Sequence, residues 1–184
     1  MKFKKRDPKI FVVSGKPNSG KDTTCEFIDN YIKSKGIRVL NIQIGYYIKM
    51  YAKRVSDWDG SEDTKPRTLL QELGTEVVRD KIDPNFFVKR IIEDITVYSY
   101  YFDVITISDA RFPGEIDGIY NSFKNVIRIN VVRPNFVNDL SAAQNAHRAE
   151  NALNEYNNYD YVLSNDGTLE DLNIKAKKIV DEVL

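Results

Sequence analysis

The residues that most restrict this chain lie between positions 10 and 24. Ile10-Phe11-Val12-Val13 is a short apolar run with the length and branched content of a buried strand. Gly15-Lys16-Pro17-Asn18-Ser19-Gly20-Lys21 follows at once and fits the pattern G-x-x-x-x-G-K. From Lys21 the pattern turns helical, with Phe27, Ile28, Tyr31 and Ile32 at three- and four-residue spacing. Backbone N–H groups of a loop in this setting cradle a phosphate, and the helix N-terminus adds its partial positive charge. Lys21 would then bridge the β- and γ-phosphates of a nucleotide as a point charge. The plain alternative, a glycine turn that only reverses the chain, explains neither the spacing nor the lysine. Asp22 follows Lys21 where Ser or Thr is usual, with Thr23 and Thr24 behind it. Two readings of a Mg²⁺ contact stay open, Asp22 through water or Thr23 directly.

The rest of the chain alternates strands and helices. Strands are expected at Ile37 to Ile44, Asp103 to Ser108, Asn125 to Val132 and Tyr159 to Leu163. Helices are expected at Gly45 to Arg54, Thr68 to Lys81, Pro84 to Tyr98, Gly114 to Ser122 and a closing stretch marked by Leu169, Leu172, Ile174, Ile179 and Val183. Ser56 to Pro66 reads as a polar loop, and Asn135 to Asn145 shows no periodicity. This alternation predicts an α/β three-layer fold with a parallel sheet of about five strands and right-handed crossovers. Ligands of such sheets gather at the carboxyl ends of the strands.

Bulk properties exclude several classes. The 184 residues suffice for one domain with a sizeable core, without disulfide or metal staples. Lys+Arg and Asp+Glu balance at 27 each, which argues against a protein that wraps nucleic acid. The basic start (Met1, Lys2, Phe3, Lys4, Lys5, Arg6) has no apolar stretch behind it, so it reads as a frayed terminus and not a signal peptide. No apolar run approaches the ~20 residues needed to span a bilayer. The one cysteine, Cys25, lies on the first helix and reads as a packed residue in a cytoplasmic protein. His147 and Cys25 lack the companions of a zinc site, and no Ser-His-Asp set is present to suggest covalent catalysis.

Asp109 stands at the end of the strand Val104–Ser108, where an acid would orient magnesium; its alternative is a helix cap or turn. Arg111, two residues on, would face reacting phosphates with its planar fork. Arg67, Arg79, Arg133 and Arg148 flank predicted helices or loops. A lone arginine is ordinarily a solvated residue, but phosphoryl transfer needs several cations around the transferred group.

Taken in order, these motifs resemble the deoxynucleoside monophosphate kinases of bacteriophages and related bacterial P-loop kinases, within the nucleoside monophosphate kinase superfamily. The resemblance is carried by SGKPNSGKDTT (Ser14 to Thr24), RTLLQELGT (Arg67 to Thr75) and DPNFFVK (Asp83 to Lys89). It continues through SDARFPGE (Ser108 to Glu115), VVRP (Val131 to Pro134) and SNDGTLEDL (Ser164 to Leu172). It implies ATP on Gly15 to Thr24, including Asn18, Ser19, Gly20, Lys21, Asp22, Thr23 and Thr24, with Asn165 and Gly167 near the adenine. It implies a core at 8–44 and 102–184, an acceptor-binding insertion at about 45–87 and a short lid at about 133–148. Arg67, Gln71, Thr75, Arg79, Arg111 and Arg148 would contact the acceptor, while Lys21, Asp109, Arg111 and Arg133 would serve catalysis. Asp22, Thr23 and Asp109 are the Mg²⁺ candidates. The implied partner is a small-molecule nucleotide rather than nucleic acid or membrane, with a homodimer left open.

Two other readings compete. One keeps the chemistry and changes the acceptor to phosphomevalonate or dephospho-coenzyme A; the Gln71-x-x-Gly74-Thr75 segment and the insertion length favour a nucleotide. The other is a non-catalytic ATP- or nucleic-acid-binding switch with some of the eleven tyrosines as stacking platforms. Spread through helices and strands, Tyr98, Tyr100, Tyr101, Tyr159 and Tyr161 read more simply as packing.

Overall fold

The computed structural model describes residues 4–134 and 136–184; Met1, Lys2 and Phe3 of the basic start and Asn135 of the expected lid lie outside the described residues. Five strands form one sheet: β1 (Lys9–Ser14), β2 (Val39–Ile42), β3 (Val104–Ala110), β4 (Val126–Val132) and β5 (Tyr161–Ser164). Their order is β2-β3-β1-β4-β5, and every neighbouring pair is parallel. The central strand β1 is buried on both faces, which is why Ile10 to Val13 is continuously apolar and does not alternate.

The helices are α1 (Lys21–Ser34), α2 (Gly45–Val55), α3 (Arg67–Glu72), α4 (Phe86–Tyr98), α5 (Pro113–Ser122), α6 (Ala142–Ala146), α7 (Arg148–Asn151) and α8 (Leu169–Val183). Two apolar clusters cover the two faces of the sheet. Phe11, Ile28, Ile32, Leu172 and Val180 join α1 and α8 to one face; Ile10, Phe87, Ile91, Ile116 and Ile119 join α4 and α5 to the other. The result is the three-layer α/β arrangement expected from the sequence. Cys25 is buried in the α1 face, and burial pushes its thiol well up, so it is a packing residue.

Several boundaries differ from the sequence reading. The second strand is shorter than Ile37 to Ile44, because Gln43 and Ile44 already turn toward α2. The last begins at Tyr161 rather than Tyr159, whose hydroxyl lies 3.0 Å from that of Ser14. The helix expected over Thr68 to Lys81 starts as α3 and continues as a wider π-helical segment, Leu73–Ile82, closed by the Asp83 amide donating to the Val78 carbonyl at 2.9 Å. A wider turn changes which side chains share a face, and it buries Gly74, Thr75, Val78 and Arg79 together. At the end of the stretch read as lacking periodicity, α6 forms on a capping box in which the Gln144 amide donates to Ser141 Oγ at 3.2 Å; five residues are too few to show a period.

Candidate active site

The glycine loop occupies the turn between β1 and α1, at the carboxyl edge of the sheet. Gly20 caps α1 at φ +101, a left-handed conformation that glycine adopts without strain. The Lys21 ammonium donates to the Lys16 carbonyl across the loop at 3.2 Å. Burial, and next the neighbouring Arg111, push Lys21 down from the usual lysine range. Ser19 Oγ is buried and has no hydrogen-bond partner. Orphaned polar atoms of this kind cost stability unless a ligand satisfies them, and an anionic oxygen would do so here. Asn165 reaches from beyond β5 and donates its side-chain amide to the Ser19 carbonyl at 2.9 Å.

Asp109 is the penultimate residue of β3, not the residue after the strand. Its two oxygens accept the amides of Ile44 and Gly45, each at 2.8 Å, at the start of α2. A Cβ on Gly45 would stand 2.9 Å from Asp109 Oδ2, so the close approach requires glycine. Burial pushes the carboxyl up, and the amides of Gly45 and Ile44 oppose that rise.

Two clefts open beside the loop. The smaller, of about 180 Å³, is lined by Lys21, Asp22, Asp109 and Arg111 on the core side. Arg67, Gln71, Thr75 and Arg79 line it from α3 and the π-helical segment. The tertiary structure thus gathers into one hollow residues spread over ninety positions of sequence. The larger, of about 510 Å³, runs along Gly15, Lys16 and Ser19 to the end of β4 and includes Arg133. There the Arg133 guanidinium lies 4.1 Å from the ring centroid of Phe136.

Other expected residues lie elsewhere. Thr23, Asn165 and Gly167 line neither cleft. Thr24 Oγ1 donates to the Gly20 carbonyl at 2.8 Å, inside the helix turn, and Asn18 donates to Asp139 at 3.1 Å. Arg148 is exposed, pairs with Asp80 and lines neither cleft. Arg79 lines the smaller cleft but is 8% exposed, ion-paired with Glu115, and donates to the Gly74 carbonyl at 2.6 Å. Its guanidinium is sandwiched between Phe112 and Phe87.

Sequence reasoning gave no role to three residues of this region. Glu115 holds Arg79 and also accepts the amides of Arg111 and Phe112, at 2.8 and 3.1 Å. Glu150 pairs with Arg111 and accepts Gln71 at 3.2 Å. Lys49 adds a further cation to the smaller cleft. The position of Glu115, three residues into a proline-initiated helix, carried half the signal of a capping box, the carboxylate that accepts the N-cap amide, with Phe112 supplying no side-chain oxygen in return; nothing local marked Glu150 or Lys49.

No group of three or more His, Cys, Asp and Glu residues arranged for a metal occurs among the described residues. Three carboxylates line the smaller cleft, Asp22, Asp109 and Glu150; the last is ion-paired with Arg111, which leaves Asp22 and Asp109 as donors. That donor set fits Mg²⁺, which keeps several waters and takes one or two carboxylates together with phosphate oxygens.

The sequence model for deoxynucleotide monophosphate kinases matches residues 47–176. The chain belongs to the deoxynucleotide monophosphate kinase family. The matched segment begins beyond the glycine loop, so in this family member the loop is recognised from its own motif and its strand–turn–helix setting. The chain is 30% identical over 126 residues to a protein of Acanthamoeba polyphaga mimivirus described as a putative deoxynucleotide monophosphate kinase. That similarity spans 63% of this chain and 61% of the viral protein's length. Among solved structures, a sugar kinase from Janibacter sp. superposes with a TM-score of 0.60 at 13% identity, covering 95% of both chains. The Mycobacterium tuberculosis APS kinase CysC, in a complex with AMPPNP and APS, gives 0.54 at 11% identity, covering 96% of this chain and 97% of that one. At such identities the likeness is one of fold: the three-layer P-loop kinase architecture. Among the described residues no helix is long and apolar enough to cross a membrane.

Proposed function

We propose that this deoxynucleotide monophosphate kinase family member transfers the γ-phosphoryl group of ATP to a deoxynucleoside 5′-monophosphate, giving the diphosphate. The observation that carries this reading is the smaller cleft, where Lys21 and Asp22 of the loop face Arg67, Gln71 and Arg79 across Asp109 and Arg111. Binding of AMPPNP by an APS kinase of the same fold supports ATP as the donor.

In this reading the loop from Gly15 to Thr24 holds the donor phosphates, with the orphaned Ser19 hydroxyl, the α1 N-terminus and Lys21 as its donors. The segment 45–87 forms the acceptor-binding insertion, and 133–148 the lid. Arg67 and Arg111 grip the acceptor phosphate and Gln71 faces its base, while Arg79 shapes the floor. Asp22 and Asp109 would hold Mg²⁺, which neutralises charge on the phosphates when bound. The acceptor oxygen is already anionic, so no general base is needed. Catalysis is in-line positioning plus charge neutralisation. Asn165 acts at one remove, bracing the loop through Ser19, instead of touching adenine.

ADP release coupled to an indicator, with ATP–Mg²⁺ and a panel of deoxy- and ribonucleoside monophosphates, phosphomevalonate and dephospho-coenzyme A, tests the reading. Turnover with a nucleotide is the expected result and names the base. Turnover with a non-nucleotide alone would replace the acceptor, and ATP binding without any turnover would make the chain a switch module.

A further inference from the structure

Glu150 stands where the two clefts meet and lines both. Its side chain is 8% exposed, although that of its ion-pair partner Arg111 is 41% exposed. One oxygen, Oε1, receives both Arg111 Nη1 and Gln71 Nε2. The backbone carbonyl of the same residue accepts Lys16 Nζ from the glycine loop at 2.8 Å. Glu150 thereby engages the strand-end arginine, the acceptor-side glutamine and the loop together.

A carboxylate is out of place at that junction. Phosphoryl transfer brings two phosphate-bearing groups to it, and a shielded negative charge repels both at short range. Arg111, moreover, cannot neutralise a phosphate while its charge is matched by Glu150. The side-chain ties from neighbouring Gln144 to α3 are long: Gln71 to the Gln144 carbonyl at 3.3 Å, and Gln144 to Thr68 at 3.4 Å. The backbone of the segment that carries Glu150 is held more firmly, by His147 against Glu76 at 2.9 Å, by the ion pair of Arg148 with Asp80 and by Lys16 on the Glu150 carbonyl, so the Glu150 side chain is the part free to give way.

We propose that Glu150 is a stand-in for the acceptor phosphate: its carboxylate holds Arg111 and Gln71 until an incoming phosphate takes Arg111 over and displaces that side chain. This rests on the acceptor site proposed above. Binding then exchanges one anion for another on the same arginine. The arginine stays aligned throughout, and the position of the Glu150 side chain depends on whether a phosphate is bound.

The test compares the wild-type chain with Glu150→Gln, which removes the charge and keeps the shape, and Glu150→Asp, which keeps the charge. Inorganic phosphate is the probe, its affinity read from the shift in thermal midpoint during titration. Glu150→Gln should bind phosphate about tenfold more tightly, the scale of one screened charge at a few ångströms. Its KM for the acceptor should fall with kcat within about threefold, again on the scale of one partly screened charge, and Glu150→Asp should stay near wild type. Unchanged phosphate affinity in Glu150→Gln, with kcat lowered at constant KM, would overturn the proposal and make Glu150 a positioning residue that stays on Arg111 through turnover. An equal gain in Glu150→Asp would also overturn it, because loosening alone would then explain the effect. If wild type turns over no monophosphate, the acceptor assignment fails, while the phosphate titration still decides the role of Glu150.

Discussion

Arg79 and Glu115 form a buried ion pair that joins the π-helical segment to the first turn of α5, with both side chains under 10% exposed. One Glu115 oxygen takes the guanidinium; the other takes the amides of Arg111 and Phe112. The pair therefore fixes the floor of the smaller cleft and the backbone of Arg111 beside it. Replacing Arg79 by Ala leaves a buried carboxylate short of its cation and should cost about 3 kcal/mol. Chemical denaturation of the variant checks this. A loss below about 0.5 kcal/mol, the scale of an ordinary surface substitution, would mean that Arg79 serves the ligand and not the fold.

Lys21→Ala should leave the fold intact, since among the described residues its ammonium donates only to the Lys16 carbonyl. Turnover should fall about 100-fold or more, the scale of removing one aligned cationic or polar donor from a transition state. Circular dichroism alongside the coupled assay separates the two effects.

The loop is held from outside by Asn165. Asn165→Ala removes the amide donor to the Ser19 carbonyl and should cost about 1 kcal/mol of stability. KM for ATP should rise more than KM for the acceptor. An equal rise in both would place Asn165's influence on the whole site instead of the loop.

Gly45→Ala sets a methyl group 2.9 Å from Asp109 Oδ2 and should separate that carboxylate from its two amide donors. Activity should drop with the global fold retained. A variant with wild-type kcat and KM would remove the Asp109–α2 junction from the site.

Acid stability should report the pair Arg128–Asp160, away from the clefts. The Arg128 guanidinium holds the Asp160 carboxyl below the usual aspartate range. A carboxylate with a lowered folded-state pKa adds stability that is full above the unfolded value of about 4 and is lost as pH falls through the folded value. The thermal midpoint of wild type should thus exceed that of Asp160→Asn at pH 6, and the gap should close as the pH is taken below about 4. A gap that persists undiminished at low pH would assign the stabilisation to packing of Arg128 against Tyr120, whose ring centroid lies 4.0 Å from the guanidinium.

By itself the sequence determined what depends on neighbours along the chain. The apolar run Ile10 to Val13, the glycine loop and the start of α1 are local, and their order permitted one kind of sheet. Asp109 and Arg111 were legible for the same reason, as polar residues closing an apolar strand. Only the tertiary structure decided which distant groups meet. Arg79 looked like a free cation from its sequence and is a buried one, because a π-helical turn rotates it under Phe112 and Phe87, against Glu115. Asn165 sits behind the loop and not within a cleft, because β5 ends against the start of α1. Glu150 carried no pattern at all. Its place between Arg111 and Gln71 follows from how α7 meets α3 and the turn after β3, and long-range packing of that kind leaves no period in the chain.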